Sequence, residues 1–460
     1  MESERTFELS RRSLLQMAGG AAASLCVPGI ARGGAADSRR PPNIILLMAD
    51  DLSAREIGCY GNAAATTPNL DAMARNGVQF QTCWCTPICS PTRAMIMTGR
   101  YAWRTGWWHN NMKPKPPDPK AHLARANSIF AEPLQGAGYA TAVVGKWQIP
   151  GSTKEYGFDE YCLWQTSDKG PEIFEAFDGP VEGQELAGKR GAFPGRRSRY
   201  WHPAIARNDK LVPTEASDYG PDIFTDFVLD FARRKRHDPF MVYYPMCLPH
   251  LAWDFEANKG AQYLPVPDTN NPGQQLPGSL ESNVRYVDHV VGRIRQGIAE
   301  LGLAEDTIIL FTSDNGTAGY GKGKIAAERG PRVPMIAYGP GRVRPLGKVD
   351  ELVSLVDVYA TLCDLAAVPI PDGYGHDGHS FAPLLRGEKY AGREYLISYY
   401  MDNRMVRDSR YIIDGNGDFW DTQGRHDESK YGRVKRLNEA QEARAARLRA
   451  ELARVGRPAR

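Results

Sequence analysis

Two short apolar runs interrupt a chain in which most apolar residues recur at helical spacing. They occupy residues 43–48 and 307–312, and after one small residue each run is followed by acidic or amide side chains. Runs of this kind are typical of strands buried on both faces of a parallel sheet. Because ligands bind beyond the carboxyl ends of such strands, the residues after both runs could meet at one site. Those residues are Asp50, Asp51, Asp314 and Asn315.

Apolar residues at helical spacing occupy the chain between these runs. One amphipathic stripe leads through the basic run 233–236 to a strand-like segment at 239–244. Strands that alternate with helices predict an α/β fold, with a large N-terminal domain built on a mostly parallel or mixed central sheet flanked by helices. The two stripes are Ile223, Phe227 and Phe231, and Val287, Val291, Ile294, Ile298 and Leu301.

The pattern changes after residues 383–387. Short strand-like pieces follow at 395–400 and 411–414, and a charged helical tail covers 437–455. This composition predicts a smaller C-terminal α+β subdomain. The expected organisation is therefore a leader at 1–36, a catalytic domain at 41–387 and the C-terminal subdomain at 388–460.

The first 36 residues have the pattern of an export signal. Arg11 and Arg12 stand directly before a weakly apolar run that ends in small residues. This pattern predicts a cleaved twin-arginine signal peptide. Gly19, Gly20 and Pro28 make the run a poor permanent membrane span, so we expect an exported protein, periplasmic or extracellular, whose mature form does not span a membrane.

Composition narrows the class of protein. Of the 460 residues 42% are hydrophobic and 24% are charged, as in ordinary globular proteins, and the formal net charge is only +3. Such a small net charge does not predict a nucleic-acid partner. The eight cysteines do not form two spaced pairs, as a tandem zinc site would require; the cluster Cys83, Cys85 and Cys89 leaves a disulfide open.

Residues 86–101 contain several features that suit an anion. Ser90 is a candidate N-cap and Pro91 a favoured first helical residue, so a helix should begin just after Cys89. A helix N-terminus attracts anions, and Arg93 lies one turn into the same helix. The segment alone leaves a thiol catalyst, a cysteine without a role and an oxyanion site all open.

The sequence CSPTR, followed by TGRY, resembles the C-x-P-x-R signature of the type I sulfatases. These are the formylglycine-dependent, arylsulfatase-like members of the alkaline phosphatase superfamily. Further blocks between residues 43 and 388 resemble family blocks in the same order. They are NIILLMADD, GCYGNAAATTPNLDAMARNGVQF, GYATAVVGKW, YGFDE, PHLAW, TSDNG, RVPMIAYGPG, VSLVDVYATLCDLAAV and DGHSFAPLLRGE.

The resemblance implies that Cys89 is converted to formylglycine, with a formylglycine-generating enzyme as a transient partner. It also implies a metal site formed by the modified Cys89 with Asp50, Asp51, Asp314 and Asn315. Carboxylate and amide oxygens suit Ca²⁺ or Mg²⁺ and do not suit zinc. The resemblance favours Ca²⁺, with Mg²⁺ the second choice.

The expected reaction is hydrolysis of a sulfate monoester to an alcohol and inorganic sulfate. The resemblance implies attack on sulfur by the gem-diol of hydrated formylglycine, with Arg93, Lys146 and a later lysine neutralising the sulfuryl group. His250, in PHLAW, corresponds to the family histidine that donates a proton to the leaving group. Hydrolysis of a sulfate ester needs both neutralisation of the charge on the sulfuryl group and protonation of the leaving oxygen.

Two positions depart from the family pattern. Gln148 stands in GKWQ where the family has GKWH; glutamine forms hydrogen bonds but does not take up a proton near neutral pH, so we expect Gln148 to orient the substrate. The family lysine normally lies five residues before Glu-Gly-Gly. Here Lys322 and Lys324 lie six and four residues before Glu328, and both are candidate sulfate contacts, with Lys322 the catalytic one.

An aromatic and amide run follows the CSPTR segment and suggests a sugar ring as part of the substrate. Trp108, His109 and Asn110 are the candidate substrate-binding residues, with buried packing as the alternative. A carbohydrate sulfate ester is therefore the expected substrate, and another small-molecule sulfate ester fits the same chemistry.

Three other functions remain to be separated from this one. A formylglycine-dependent phosphonate or phosphodiester hydrolase would use the same machinery on another anion. A noncatalytic binding protein would keep Cys89 unmodified. A redox-active thiol protein would need a resolving cysteine, for which Cys85 is the candidate.

Overall fold

A computed structural model describes residues 40–115, 118–149, 152–164, 199–208, 210–254, 259–427 and 430–457. The predicted twin-arginine signal at residues 1–36 lies outside the described residues. Within them, no helix has the length and apolar character needed to cross a membrane.

A mixed sheet of eleven strands forms the centre of the described chain. Its strands are β1 (Asn43–Ala49), β2 (Val78–Trp84), β3 (Ala140–Gly145), β4 (Glu160–Trp164), β5 (Ile205–Arg207), β6 (Lys210–Val212), β7 (Phe240–Pro245), β12 (Thr307–Ser313), β13 (Arg332–Val333), β14 (Met335–Tyr338) and β15 (Gly347–Ser354). Their order across the sheet is β13-β2-β14-β12-β1-β7-β3-β4-β5-β6, with β15 paired to β2. The strands β1, β12, β7, β3 and β4 run parallel, whereas β13 and β14 pair antiparallel with β2. The predicted parallel or mixed sheet is confirmed.

Helices cover both faces of this sheet, which explains why β1 lacks alternation between apolar and polar residues. Ile44 and Leu46 point into one core layer, and Ile45 and Leu47 point into the other. Successive side chains of a strand point to opposite faces, so a strand covered on both sides must be apolar throughout. The helices of this part are α1 (Pro68–Arg75), α2 (Cys89–Thr98), α3 (Ala102–Thr105), α4 (Leu123–Ala126), α5 (Ala131–Gly136), α6 (Gly220–Arg234), α7 (Leu280–Glu300), α8 (Val358–Leu365) and α9 (Ala382–Leu385).

The two helices predicted from apolar spacing are α6 and α7. Phe227 and Phe231 of α6, and Val287 and Val291 of α7, are buried in the same core layer. A capping box at Ser279 begins α7, so local hydrogen bonds and the apolar stripe agree on where this helix lies.

The register of β1 against β12 aligns the two acidic strand ends. Ala49 pairs with Ser313, and the backbone N–H of Asp314 donates to the carbonyl of Ala49 at 3.0 Å. The residues that follow both strands therefore leave the sheet side by side, as the two apolar runs predict.

A separate antiparallel sheet forms the C-terminal subdomain. Helix α10 (Glu439–Arg454) packs on it through Ala445, Leu448 and Leu452. The smaller subdomain and its helical tail are confirmed; the boundary at residues 387 and 388 stays a prediction. The strands of this sheet are β16 (Leu396–Tyr400), β17 (Asn403–Arg407), β18 (Tyr411–Asp414), β19 (Phe419–Asp421) and β20 (Gly432–Arg433).

Two small two-stranded sheets precede α7 in the chain. They pair β8 (Ala252–Asp254) with β9 (Lys259–Gln262) and β10 (Val266–Pro267) with β11 (Gln275–Leu276).

A buried cluster centred on Glu328 links the two sheets. The Trp84 indole, at the end of β2, donates to the Glu328 carboxylate at 2.6 Å. Arg407, at the end of β17, and Tyr431 donate to the same carboxylate, each at 2.5 Å. Glu328 and Arg407 are at most 1% exposed, so each needs the other's charge.

Replacing Arg407 with Met should destabilise the protein by about 3–5 kcal/mol, because the buried Glu328 carboxylate would lose the guanidinium that donates to it. Urea unfolding measures this loss. Adding Glu328→Gln to the same chain should recover much of it, since the amide oxygen can accept from Trp84 while the amide NH2 donates to the Tyr431 hydroxyl. A single variant as stable as the parent chain would contradict the role of this ion pair.

Candidate active site

Cys89 is the first residue of helix α2, and its side chain is 1% exposed. The predicted N-cap at Ser90 is wrong: Ile88, with extended backbone, is the N-cap, and no side chain at that position caps the helix. A distant residue supplies a missing acceptor instead, since Asn110 accepts from the Ser90 backbone N–H at 3.1 Å. Cys89 therefore lies at a helix N-terminus, as expected, but the helix starts earlier in the chain.

Three buried carboxylates surround the Cys89 thiol. Its Sγ lies 3.8 Å from Asp50 Oδ1 and 3.9 Å from Asp51 Oδ1. Together with Asp314, these residues offer one ligand atom each within 4.8 Å of one another. The two strand ends and the helix start thus form a compact cluster of candidate metal ligands.

Asn315 completes this cluster. Its amide nitrogen donates to Asp51 Oδ1 at 2.7 Å, whereas its buried Oδ1 has no hydrogen-bond partner. Buried polar atoms are normally paired, so an unpaired carbonyl oxygen beside three carboxylates suits a cation. This donor set fits a hard divalent cation such as Ca²⁺ or Mg²⁺.

Two buried cations oppose the carboxylates. Lys146, directly after β3, donates to Asp50 Oδ2 at 2.6 Å. Arg93 donates to Asp314 Oδ2 at 2.8 Å and to the Lys146 carbonyl at 2.7 Å. Burial alone would raise the pKa of Asp50, but Lys146 and the other nearby cations outweigh it and hold that pKa well below its usual value. Asp50 is therefore ionised.

Asp51 behaves differently from Asp50. Burial, together with the charge of Asp50, raises the pKa of Asp51 to about 6. Its backbone also has a φ of 65°, in the left-handed region that few residues other than glycine adopt. The surrounding structure thus holds Asp51 in place against both charge repulsion and backbone preference.

His250 and Lys322 form the outer side of the cluster. Lys322 Nζ lies 3.0 Å from His250 Nε2 and 2.9 Å from the Asp51 carboxylate. His250 Nδ1 contacts the Leu251 carbonyl, which only accepts, so Nδ1 carries the hydrogen and Nε2 accepts from Lys322. Burial lowers the pKa of His250, which leaves the imidazole neutral beside the ammonium.

Gln148 follows Lys146 on the same loop. Its φ is 61°, and its Oε1 is buried without a hydrogen-bond partner. A strained backbone that carries an unpaired polar atom is common where a ligand binds.

The other predicted substrate-binding residues, Trp108, His109 and Asn110, differ in their surroundings. Trp108 is 7% exposed and packs edge-on against Tyr399 with ring centroids 5.3 Å apart, so packing describes it better than an open sugar platform. His109 is half-buried, with Nε2 3.4 Å from the Tyr400 hydroxyl, and Asn110 supports the helix that carries Cys89.

Lys324 does not join the carboxylate cluster with Lys322. Its side chain is exposed and lines a cavity of about 250 Å³ with Asn403 and Asp414 of the C-terminal sheet. A single residue, Gly323, therefore separates a lysine inside the cluster from one outside it. The structure favours Lys322 over Lys324 as the lysine that contacts an anion.

The thiol alternatives are not supported. Cys83, Cys85 and Cys89 are free, as is every other described cysteine. Burial and the charge of Asp314 raise the pKa of Cys89 to about 12, so the unmodified side chain is a protonated thiol at neutral pH. A reactive thiolate needs the opposite environment.

Sequence reasoning did not identify Arg199. Its NH1 lies 3.4 Å from Asp50 Oδ2, and its guanidinium lies 4.4 Å from the Trp164 ring centroid. Neither Arg199 nor Trp164 belongs to one of the sequence blocks that resemble the sulfatase family. Arg199 carries no signal in the sequence, because only the folded chain brings it to Asp50 and Trp164.

The fold and this cluster together define a hydrolase that acts on anionic esters. The family model for Sulfatase matches residues 42–368, so the chain belongs to the sulfatase family and is a sulfuric ester hydrolase.

Relatives agree with this assignment. Mouse steryl-sulfatase is 30% identical over 78% of this chain and 68% of its own length. N-acetylgalactosamine-6-sulfatase from Canis lupus familiaris is 29% identical over 81% of this chain and 71% of its own length. The crystal structure of Ps i-CgsB superposes with a TM-score of 0.67 at 23% identity, covering 90% of this chain and 92% of that one; the same protein has been solved in complex with k-i-k-neocarrahexaose.

The raised pKa of Asp51 predicts pH-dependent metal binding. A protonated Asp51 competes with a cation, so affinity for Ca²⁺ should be highest above about pH 6 and should fall about tenfold per pH unit below it. Calorimetric titration with Ca²⁺ at several pH values measures this. Asp51→Asn should bind more weakly and show a smaller pH dependence, whereas Asp118→Asn, at an exposed turn, should behave as the parent chain. Equal affinity at pH 5 and pH 7.5 would contradict the assignment of Asp51 as a ligand.

Proposed function

We propose that this protein hydrolyses a sulfate monoester, most favourably a carbohydrate sulfate, to an alcohol and inorganic sulfate. The observation that carries the proposal is the position of Cys89: a helix N-terminus ringed by Asp50, Asp51 and Asp314, with Lys146 and Lys322 on the same carboxylates. An anionic ester would meet positive charge on several sides of this residue.

Two groups complete the proposed site. A Ca²⁺ or Mg²⁺ ion held by Asp50, Asp51, Asp314, Asn315 and the modified Cys89 would supply Lewis acidity toward the sulfuryl oxygens. Formylglycine at position 89 would supply, in its hydrated form, an oxygen nucleophile.

The remaining work is assigned to side chains of the chain itself. Lys146 and Lys322 bind the sulfuryl oxygens. Arg93 is fully buried, and both of its terminal nitrogens are engaged, so it orients the Lys146 loop and Asp314. Lys322 and His250 share a hydrogen bond at 3.0 Å. When one of them gives a proton to the leaving oxygen, the other can therefore replace that proton.

The burial of Cys89 bears on its modification. A side chain that is 1% exposed cannot reach the active site of another enzyme in the folded protein. We therefore propose that a formylglycine-generating enzyme acts on the chain before it folds. Export through the twin-arginine route, which carries folded proteins, would then follow modification and folding.

A carbohydrate substrate is supported by two observations. N-acetylgalactosamine-6-sulfatase and the neocarrahexaose complex both concern sugars. In this chain the half-buried residues His109, Asn110 and Tyr400 lie together beside the start of α2 and offer hydrogen bonds to hydroxyl groups. A phosphodiester substrate is not favoured by these relatives.

Replacing Gln148 with Ala should lower kcat/KM for an aryl sulfate by roughly 10- to 100-fold, because one oriented hydrogen bond to the reacting anion is lost. Gln148→His restores the family residue and should keep activity while adding a titration near pH 6.5. Gln135→Ala, on an exposed helix end, serves as the control. Unchanged kinetics for Gln148→Ala would remove Gln148 from the site.

The decisive experiment joins a mass measurement to parallel rate measurements. The tryptic peptide that contains Cys89 should have the mass expected for formylglycine, and the protein should hydrolyse an aryl sulfate faster than an aryl phosphodiester. Cys89→Ala, which cannot be converted, should lose turnover by several orders of magnitude. A large preference for the diester, or full activity with an unmodified thiol, would overturn the proposal.

A further inference from the structure

Within the described part of the chain, hydrogen bonds use only a small share of the donors of Arg199, a cation in the site. Its NH1 makes one long contact, 3.4 Å, to Asp50 Oδ2, an oxygen that Lys146 already binds at 2.6 Å. A guanidinium has five N–H donors. Asp50 therefore occupies a small part of what this group can bind.

Arg93 provides the contrast within the same site. Its side chain is fully buried, and its two terminal nitrogens are engaged by Asp314 and by the Lys146 carbonyl. The Arg199 side chain is 14% exposed. Arg93 is thus built into the structure, whereas Arg199 remains accessible to a ligand.

Two contacts hold Arg199 in place without using its donors. The guanidinium lies 4.4 Å from the centroid of the Trp164 ring, an arrangement that attracts a cation through the ring face. The next residue, Tyr200, donates to the carbonyls of Cys247 and His250 at 2.9 and 2.5 Å. This anchor fixes Arg199 beside the loop that carries His250.

The charges around Cys89 explain why the Arg199 guanidinium is available to bind an anion. Among the described residues, four cations contact the carboxylates of Asp50, Asp51 and Asp314. Positive charge therefore exceeds negative charge before any metal binds. At position 148, where the family histidine could become positive, this chain has a neutral amide, so Arg199 supplies a charge that Gln148 cannot. The four cations are Arg93, Lys146, Arg199 and Lys322.

We propose that Arg199 is a substrate-binding residue whose N–H groups donate to the sulfuryl oxygens of the ester and to the sulfate product. The proposal rests on the proposed function and deepens it. It requires the substrate anion to lie between Lys146 and the His250 loop, because both border the guanidinium.

Binding of inorganic sulfate to the Ca²⁺-loaded protein tests this directly, and it requires no turnover. Arg199→Gln should raise the Kd for sulfate roughly 10- to 100-fold in calorimetric titration. Arg199→Lys should have a Kd for sulfate between those of the parent chain and Arg199→Gln, since an ammonium keeps the charge but loses the planar arrangement of N–H donors. The KM for an aryl sulfate should rise in parallel.

Arg207→Gln is the matched control. Arg207 also lies over an aromatic ring, with 4.8 Å to the centroid of Phe227, and pairs with an aspartate, Asp230, at 2.9 Å, but it is outside the site. Its replacement should leave sulfate affinity and KM unchanged. Guanidinium ion added to Arg199→Ala should restore part of the lost sulfate affinity, whereas it should not affect Arg207→Ala.

A purely structural role gives different results. If Arg199 only supports Asp50, Arg199→Gln would weaken Ca²⁺ binding and leave sulfate affinity at saturating Ca²⁺ unchanged; that result overturns the proposal. Unchanged sulfate affinity with a raised KM would mean contact with another group of the substrate and would also overturn it. Arg199-dependent sulfate binding without hydrolysis of any sulfate ester would sink the proposed function alone.

Discussion

Repulsion among three buried carboxylates is the constraint on which this site depends. Asp50, Asp51 and Asp314 lie together because the register of β1 and β12 ends both strands at the same level. Like charges in a buried place are stable only if cations face them closely. Lys146, Arg93, Lys322 and Arg199 provide that charge.

The supports of this charge cluster reach across the whole fold. The central sheet supplies the carboxylates, while the loop with Lys322 is fastened to both sheets through Glu328. The backbone N–H of Gly323, next to Lys322, also donates to the carbonyl of Pro87, just before the helix that carries Cys89, at 2.7 Å. The C-terminal sheet thus helps to set the distance between an anion-binding lysine and the residue that would hold the nucleophile.

The replacement of a histidine by Gln148 changes the character of the cation set. A histidine near neutral pH is only partly charged, whereas arginine is charged at every physiological pH. Arg199, beside Asp50, therefore supplies a positive charge that the neutral amide of Gln148 does not. His250 adds no charge at neutral pH, because its buried imidazole is neutral next to Lys322.

The sequence by itself determined the fold class and the family. Doubly buried strands must be apolar throughout, and helices must repeat at their own period, so β1, β12, α6, α7 and the helical tail were predictable from local patterns. The strand-end carboxylates were predictable for the same reason, and the ordered family blocks indicated the roles of Cys89, Lys146 and His250.

Tertiary structure decided what depends on contacts distant in sequence. Ser90 has the chemistry of an N-cap, yet a partner twenty residues away, Asn110, supplies its acceptor, and the helix begins earlier. Lys322 and Lys324 are equivalent by spacing, but only the folded loop turns one inward and the other to the surface. Arg199 carries no sequence signal at all, because its position depends on Trp164 and on the anchor at Tyr200, which only the folded chain brings together.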